Sequence, residues 1–132
     1  TDAIMAFPYK EGDTKIVDEG RKLMNLPHAA PNMHWTRGLL ASRDGTLLYV
    51  SVGSNSNIAE GGIEAEDNRA AILEINPAKG DYRVFAGGLR NPVGMAWYPK
   101  TGDLWAVVNE RDMLGSDLVP DYLTRVEFGG FY

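Results

Sequence analysis

The chain has 132 residues, 44% hydrophobic and 23% charged, which fits one ordinary globular domain and excludes a disordered one. A net charge of −5 argues against nucleic acid as a partner, and the lack of cysteine excludes disulfides, thiolate chemistry and zinc–sulfur centres. No run approaches the roughly 20 apolar residues that span a bilayer. No signal peptide opens the chain, and Thr1 stands where a methionine would, so an upstream segment is expected.

In chain order, residues 3–8 read as a short strand and 9–13 as the turn after it. Residues 21–26 form a second strand that Pro27 stops, and 28–33 form a loop. Two apolar runs, 36–42 and 46–52, flank Arg43-Asp44-Gly45 and predict a hairpin. Residues 53–68 are polar and without period, a loop of the length that usually carries function. Strands follow at 70–75 and 82–86, joined by a turn at 76–81. A further hairpin, 93–98 and 104–108, folds around 99–103, and 122–126 is the last strand. No helix longer than a turn is expected.

These strands repeat. Residues 5–13 line up with 73–81, and 47–53 with 104–110. Self-similarity at this spacing, with four short strands per unit, predicts an all-β chain that is a β-propeller fragment. Residues 1–27 would end one blade, 34–88 would form a complete four-stranded antiparallel blade, and 89–132 most of the next. A small β-sandwich explains the strands but not the repeat.

Two stretches carry candidate chemistry. In Gly88-Leu89-Arg90-Asn91-Pro92-Val93-Gly94, Arg90 and Asn91 are expected on a tight turn before a strand, and the arginine fork suits a carboxylate or quinone oxygen. Val107-Val108-Asn109-Glu110-Arg111-Asp112 ends a strand in hard oxygens of the kind a calcium-like cation takes. The acidic runs at 60–67 and 110–121 favour cations locally, although solvated loops have the same composition. His34, in Asn32-Met33-His34-Trp35-Thr36 before an inner-type strand, is a candidate proton acceptor; His28 lies in the same loop. Each has a structural alternative. Arg90 could cap a turn by bonding carbonyls, and residues 53–57 could bond among themselves. Glu110, Arg111, Asp112 and Asp117 could be solvated. Trp35, Trp97 and Trp105 read as core, unless one faces a ring ligand.

Together these stretches resemble the soluble glucose/sorbosone dehydrogenases that use pyrroloquinoline quinone (PQQ), most nearly the sorbosone-type branch. The residues that carry the likeness are His34-Trp35-Thr36, Arg90-Asn91-Pro92-Val93-Gly94 and Asn109-Glu110-Arg111-Asp112, in that order. The resemblance implies about two of six propeller blades, with PQQ over the axis. It implies that His34 is the base for a sugar C1 hydroxyl, that Arg90 and Asn91 contact PQQ, and that Glu110 and Arg111 offer backbone carbonyls to a PQQ-linked calcium. Asp117 falls near an acidic position of the glucose-oxidising branch. Further implications are a sugar substrate, an external electron acceptor and a periplasmic or secreted location. The chain alone would be inactive, and its open blade edges offer a route to self-association. Two other functions fit a propeller: a non-catalytic binding scaffold and a calcium-dependent lactonase.

Overall fold

The computed structural model describes residues 2–132; Thr1, which opens the first expected blade, lies outside them. Among the described residues, nine strands form three antiparallel sheets. β1 (Ala3–Ala6) pairs with β2 (Arg21–Asn25). The middle sheet runs β3 (Arg37–Ala41), β4 (Leu48–Val52), β5 (Ala71–Asn76), β6 (Asp81–Gly87) in spatial as in chain order. The third joins β7 (Asn91–Trp97), β8 (Leu104–Asn109) and β9 (Tyr122–Val126). Between β4 and β5 the long loop contains a single 3₁₀ turn, Ile63–Glu66. The chain is all-β, as its alternating short runs and turn residues predict.

The two central strands of the middle sheet, β4 and β5, are buried on both faces, which explains why they are apolar almost throughout instead of alternating. Val50, Val52, Ala71, Leu73 and Ile75 pack with Ile4 and Leu26 of the first sheet's side. From the opposite face, Tyr49 and Ile72 pack with Leu104, Ala106, Val108 and Val126 of the third sheet. Successive side chains of one strand thus enter different cores. The sheets are stacked face to face, and this stacking is the fold's main source of buried apolar surface.

On the third-sheet side, a polar network runs from the buried Tyr49 and Glu74 out to the exposed Arg83. The Tyr49 hydroxyl donates to Glu74 Oε2 at 2.8 Å, and Arg83 pairs with Glu74 Oε1 at 2.7 Å. The Tyr49 ring meets Phe85 and Trp97 edge-on, with centroids 5.2 and 5.0 Å away, a geometry the ring quadrupoles favour. Burial, with Glu74 alongside, pushes the Tyr49 hydroxyl up to about 12.

β7 begins at Asn91, so Asn91 and Pro92 lie in the strand and not on the turn expected before it. Asn91 pairs with Asn109 and Pro92 with Val108; the register then slips, leaving Val93 unpaired before Gly94 meets Val107. Pro92 is tolerated because β7 is an edge strand and the bulge absorbs its missing donor. At the other end, residues 129–132 return to β6: Gly87 donates to the Gly130 carbonyl at 3.0 Å, and Tyr132 to Gly87 at 3.1 Å. Gly88, with φ +75°, lets Tyr132 approach; a Cβ there would lie 2.3 Å from the Tyr132 carbonyl oxygen.

Candidate functional site

Antiparallel order brings five chain segments to one end of the sheets: the start of β3, the end of β4, the start of β5, the start of β7 and the end of β8. His34, Arg90, Asn91 and Glu110 sit on or beside these segments, and β3 and β7 pack against each other. The end of β4 is the hub. Ser54 donates its N–H to the Arg90 carbonyl at 2.7 Å, and Met33 donates to the Asn55 carbonyl at 2.9 Å. The 53–57 loop therefore ties the His34 loop to the start of β7.

His34 and Asn91 meet at Gly53. A Cβ on Gly53 would lie 2.4 Å from Asn91 Oδ1 and 2.5 Å from His34 Cβ. Only a hydrogen fits between them. His34 is half-buried, and its Nδ1 lies 2.9 Å from Ser54 Oγ and 3.1 Å from the Ser54 carbonyl. Burial, reinforced by the Arg90 charge, holds the imidazole below its ordinary value of 6.5. It is therefore neutral at pH 7, the state a base requires. Asn91 Oδ1 is buried without a hydrogen-bond partner, and its Nδ2 makes one long bond of 3.5 Å to Asn109 Oδ1. An amide with spare polar capacity beside a neutral imidazole is the most ligand-ready feature of the site.

Arg90 is different, because its donors are all engaged. Nε bonds the Asn57 carbonyl at 2.9 Å, and Nη2 bonds Asn57 Oδ1 at 2.6 Å and Asp112 Oδ2 at 2.8 Å. Nη1 bonds the carbonyls of Asn109 and Glu110. Five N–H groups are the guanidinium's full complement. Arg90 is largely buried, whereas the Asp112 side chain is 60% exposed. A ligand oxygen would reach the fork only by displacing Asp112.

The metal candidates lie on the 110–121 loop between β8 and β9. The Glu110 carbonyl accepts from Arg90, Arg111 is exposed, and Asp117 is exposed on the 110–121 loop without a hydrogen bond or ion pair. Asp121 instead organises this loop, accepting from Glu110 N–H at 2.9 Å and Asn109 Nδ2 at 3.1 Å. Among the described residues, no group of three or more His, Cys, Asp or Glu is placed to hold a metal. A cavity of about 1020 Å³ lies beside the His34–Asn91 pair rather than on it. Ser54, Arg90, Glu110 and Arg111 line it along with Arg69 and Phe131, but His34, Asn91 and Asp117 do not.

Ser54 and Asp121 are functional neighbours that the sequence marks only as members of the 53–57 loop and the 110–121 acidic run. The signal available was positional: Gly53-Ser54 follows a fully buried strand, and Asp121 precedes β9, so both sit at the crowded strand ends. Trp97 packs against the third-sheet core and Trp105 is half-buried, but Trp35 is 61% exposed and is not core as expected. His28 is also exposed, with its Nδ1 3.1 Å from the Leu26 carbonyl.

The fold and site define the class: an all-β chain of stacked antiparallel sheets with a polar cluster gathered at one end. Residues 1–121 match the family model described as TrAA12-like, and the chain belongs to that family. Its structure is similar to an iodide structure of Trichoderma reesei Carbohydrate-Active Enzymes Family AA12, with TM-score 0.78 and 25% identity over 96% of this chain and 35% of that one. It is also similar in fold to the holo form of the pyranose dehydrogenase PQQ domain from Coprinopsis cinerea, with TM-score 0.69, 22% identity, 96% of this chain and 32% of that one. An uncharacterized protein of Borreliella burgdorferi is 29% identical over 101 residues, 76% of this chain and 26% of its own length. The chain thus spans about a quarter to a third of these proteins' lengths. Among the described residues, no helix is long and apolar enough to cross a membrane.

Proposed function

We propose that this chain is part of a quinoprotein oxidoreductase that oxidises a sugar or aldose at its C1 hydroxyl or aldehyde, in the manner of the sorbosone/glucose-type dehydrogenases. The single observation that carries this is the His34–Asn91 pair held across Gly53: a neutral imidazole beside an amide whose buried oxygen has no partner. Family membership and the likeness to a PQQ domain support the same reading. The three sheets are then successive blades of a six-bladed propeller, divided at residues 1–27, 34–88 and 89–132, and the rest of the protein completes the ring. A periplasmic or secreted location and an external electron acceptor belong to this proposal.

The pair suits PQQ in kind: Asn91 has polar capacity to spare, and Gly53 leaves no side chain between it and His34. Bound PQQ would supply the acceptor for the hydride leaving C1. His34 would take the hydroxyl proton, Asn91 would bond a cofactor oxygen, and Arg90 would keep the 57, 109 and 112 segments in register. Calcium is part of the proposal because a calcium structure is known for the Trichoderma reesei Family AA12 protein. In this chain the proposal draws on the backbone carbonyls of Glu110 and Arg111, with Asp117 nearby in sequence, and the Glu110 carbonyl already accepts from Arg90. That set is incomplete without other oxygens, so no step is derived through the metal.

The scaffold reading has an observation of its own: the saturated Arg90, which bonds carbonyls as a purely structural arginine does. No comparable observation favours a lactonase, which would need clustered carboxylates. His34→Ala in the full-length protein separates the two. The quinoprotein reading expects turnover to fall by roughly 10² or more, with PQQ affinity within a few-fold of wild type. Near-normal turnover would remove His34 from the chemistry.

A further inference from the structure

The surroundings of His34 Nδ1 decide where its proton sits. The Ser54 carbonyl oxygen, 3.1 Å away, can only accept. Ser54 Oγ, 2.9 Å away, can do either, but it lies 2.7 Å from the Ser56 carbonyl, which can also only accept. If Nδ1 were bare, the Ser54 hydroxyl would turn to it, the Ser56 carbonyl would lose this donor, and the Ser54 carbonyl would face a lone pair. With a proton on Nδ1 every group is paired: Nδ1–H is shared by the two Ser54 oxygens, and the hydroxyl donates onward to Ser56. Ser54 and Ser56 are buried, at 6% and 4% exposure, so water is not an easy substitute.

We infer that Ser54 is a positioning residue that holds His34 as the Nδ1–H tautomer, leaving Nε2 as the atom that accepts the substrate proton. This rests on the proposed function for its catalytic meaning, but the tautomer itself does not. Three other hydrogen bonds hold the loop while Ser54 holds the ring. Arg37 Nη1 donates to the His34 carbonyl at 2.7 Å, and Arg37 and Arg69 converge on Asn32 Oδ1 at 3.3 and 2.9 Å. Those contacts fix the loop and leave the ring's rotation and tautomer to Ser54.

The test uses the full-length protein with ¹⁵N-labelled histidine, His34 being assigned by its loss in His34→Ala. Long-range ¹⁵N–¹H spectra above the His34 titration should show one tautomer, protonated at Nδ1. Ser54→Ala leaves the accepting carbonyl in place and removes the hydroxyl, the one neighbour that could donate to a bare Nδ1, so the single Nδ1-protonated form should persist there and in Ser54→Thr. In the PQQ-loaded protein, Ser54→Ala removes one of the two contacts that hold the ring and should lower kcat severalfold with KM little changed, an effect Ser54→Thr should reverse. A wild-type His34 protonated at Nε2, or an Nε2-protonated population appearing in Ser54→Ala, would overturn the inference. If the tautomer is locked as described but no quinone-linked turnover exists, the lock stands and the oxidoreductase reading falls.

Discussion

Gly53 shows how closely single residues are constrained at the candidate site. Its missing Cβ is the space in which His34 and Asn91 come together, so Gly53→Ala must push one of them aside. The expected outcome is a loss of about 1–3 kcal/mol in chemical denaturation, the usual cost of overpacking. A loss of PQQ affinity should accompany it. His34 yields a pH prediction whose sign follows from its environment. Burial and Arg90 lower its pKa, so the base form is already present at pH 7. kcat/KM should therefore be flat above neutrality and fall only as the pH drops through a value below 6.5. A limb centred above 7 would contradict that. For Arg90 the expectation concerns the fold: Arg90→Lys keeps the charge but cannot span Asn57, Asn109, Glu110 and Asp112 with one ammonium. A loss of about 2 kcal/mol is expected, read by chemical denaturation.

At the scale of elements, the Tyr49–Glu74–Arg83 network links β4, β5 and β6 within an apolar face. Tyr49→Phe leaves Glu74 Oε2 buried without this donor and should cost about 1–3 kcal/mol. The same hydroxyl makes the fold alkali-sensitive. Its folded-state pKa, about 12, is raised above the ordinary 10.0, so its stabilising contribution is complete below pH 10 and is lost as pH rises towards 12. Tyr49→Phe should flatten that part of the stability curve. The strands themselves were legible in the sequence, because Arg43-Asp44-Gly45 and the 99–103 turn punctuate clear apolar runs. The start of β7 was not: Asn91-Pro92 reads locally as a turn, and only pairing with Asn109 and Val108 across the bulge makes it a strand. Arg90 and Asn91 were legible as special residues, but their roles were not, since Arg90's partners lie 19 to 33 positions away in sequence. Asp117 and Asp121 differ by neither composition nor local pattern. Only the fold shows that Asp121, not Asp117, anchors the Glu110 loop.

For the molecule as a whole, a middle sheet covered on both faces by flanking sheets is the arrangement that propeller blades adopt. The first and third sheets each cover one of its faces, and the segments at one end of all these strands build the site. The chain spans 26% and 35% of the lengths of two of its relatives, so the proposed enzyme would draw further cofactor contacts from outside these 132 residues. The central claim is accordingly tested most directly on the full-length protein, by titrating PQQ with and without calcium and following the cofactor's absorbance. The account predicts saturable binding at one PQQ per chain, tightened by calcium and weakened at least tenfold by Asn91→Ala. A folded protein that binds no PQQ under either condition would contradict it.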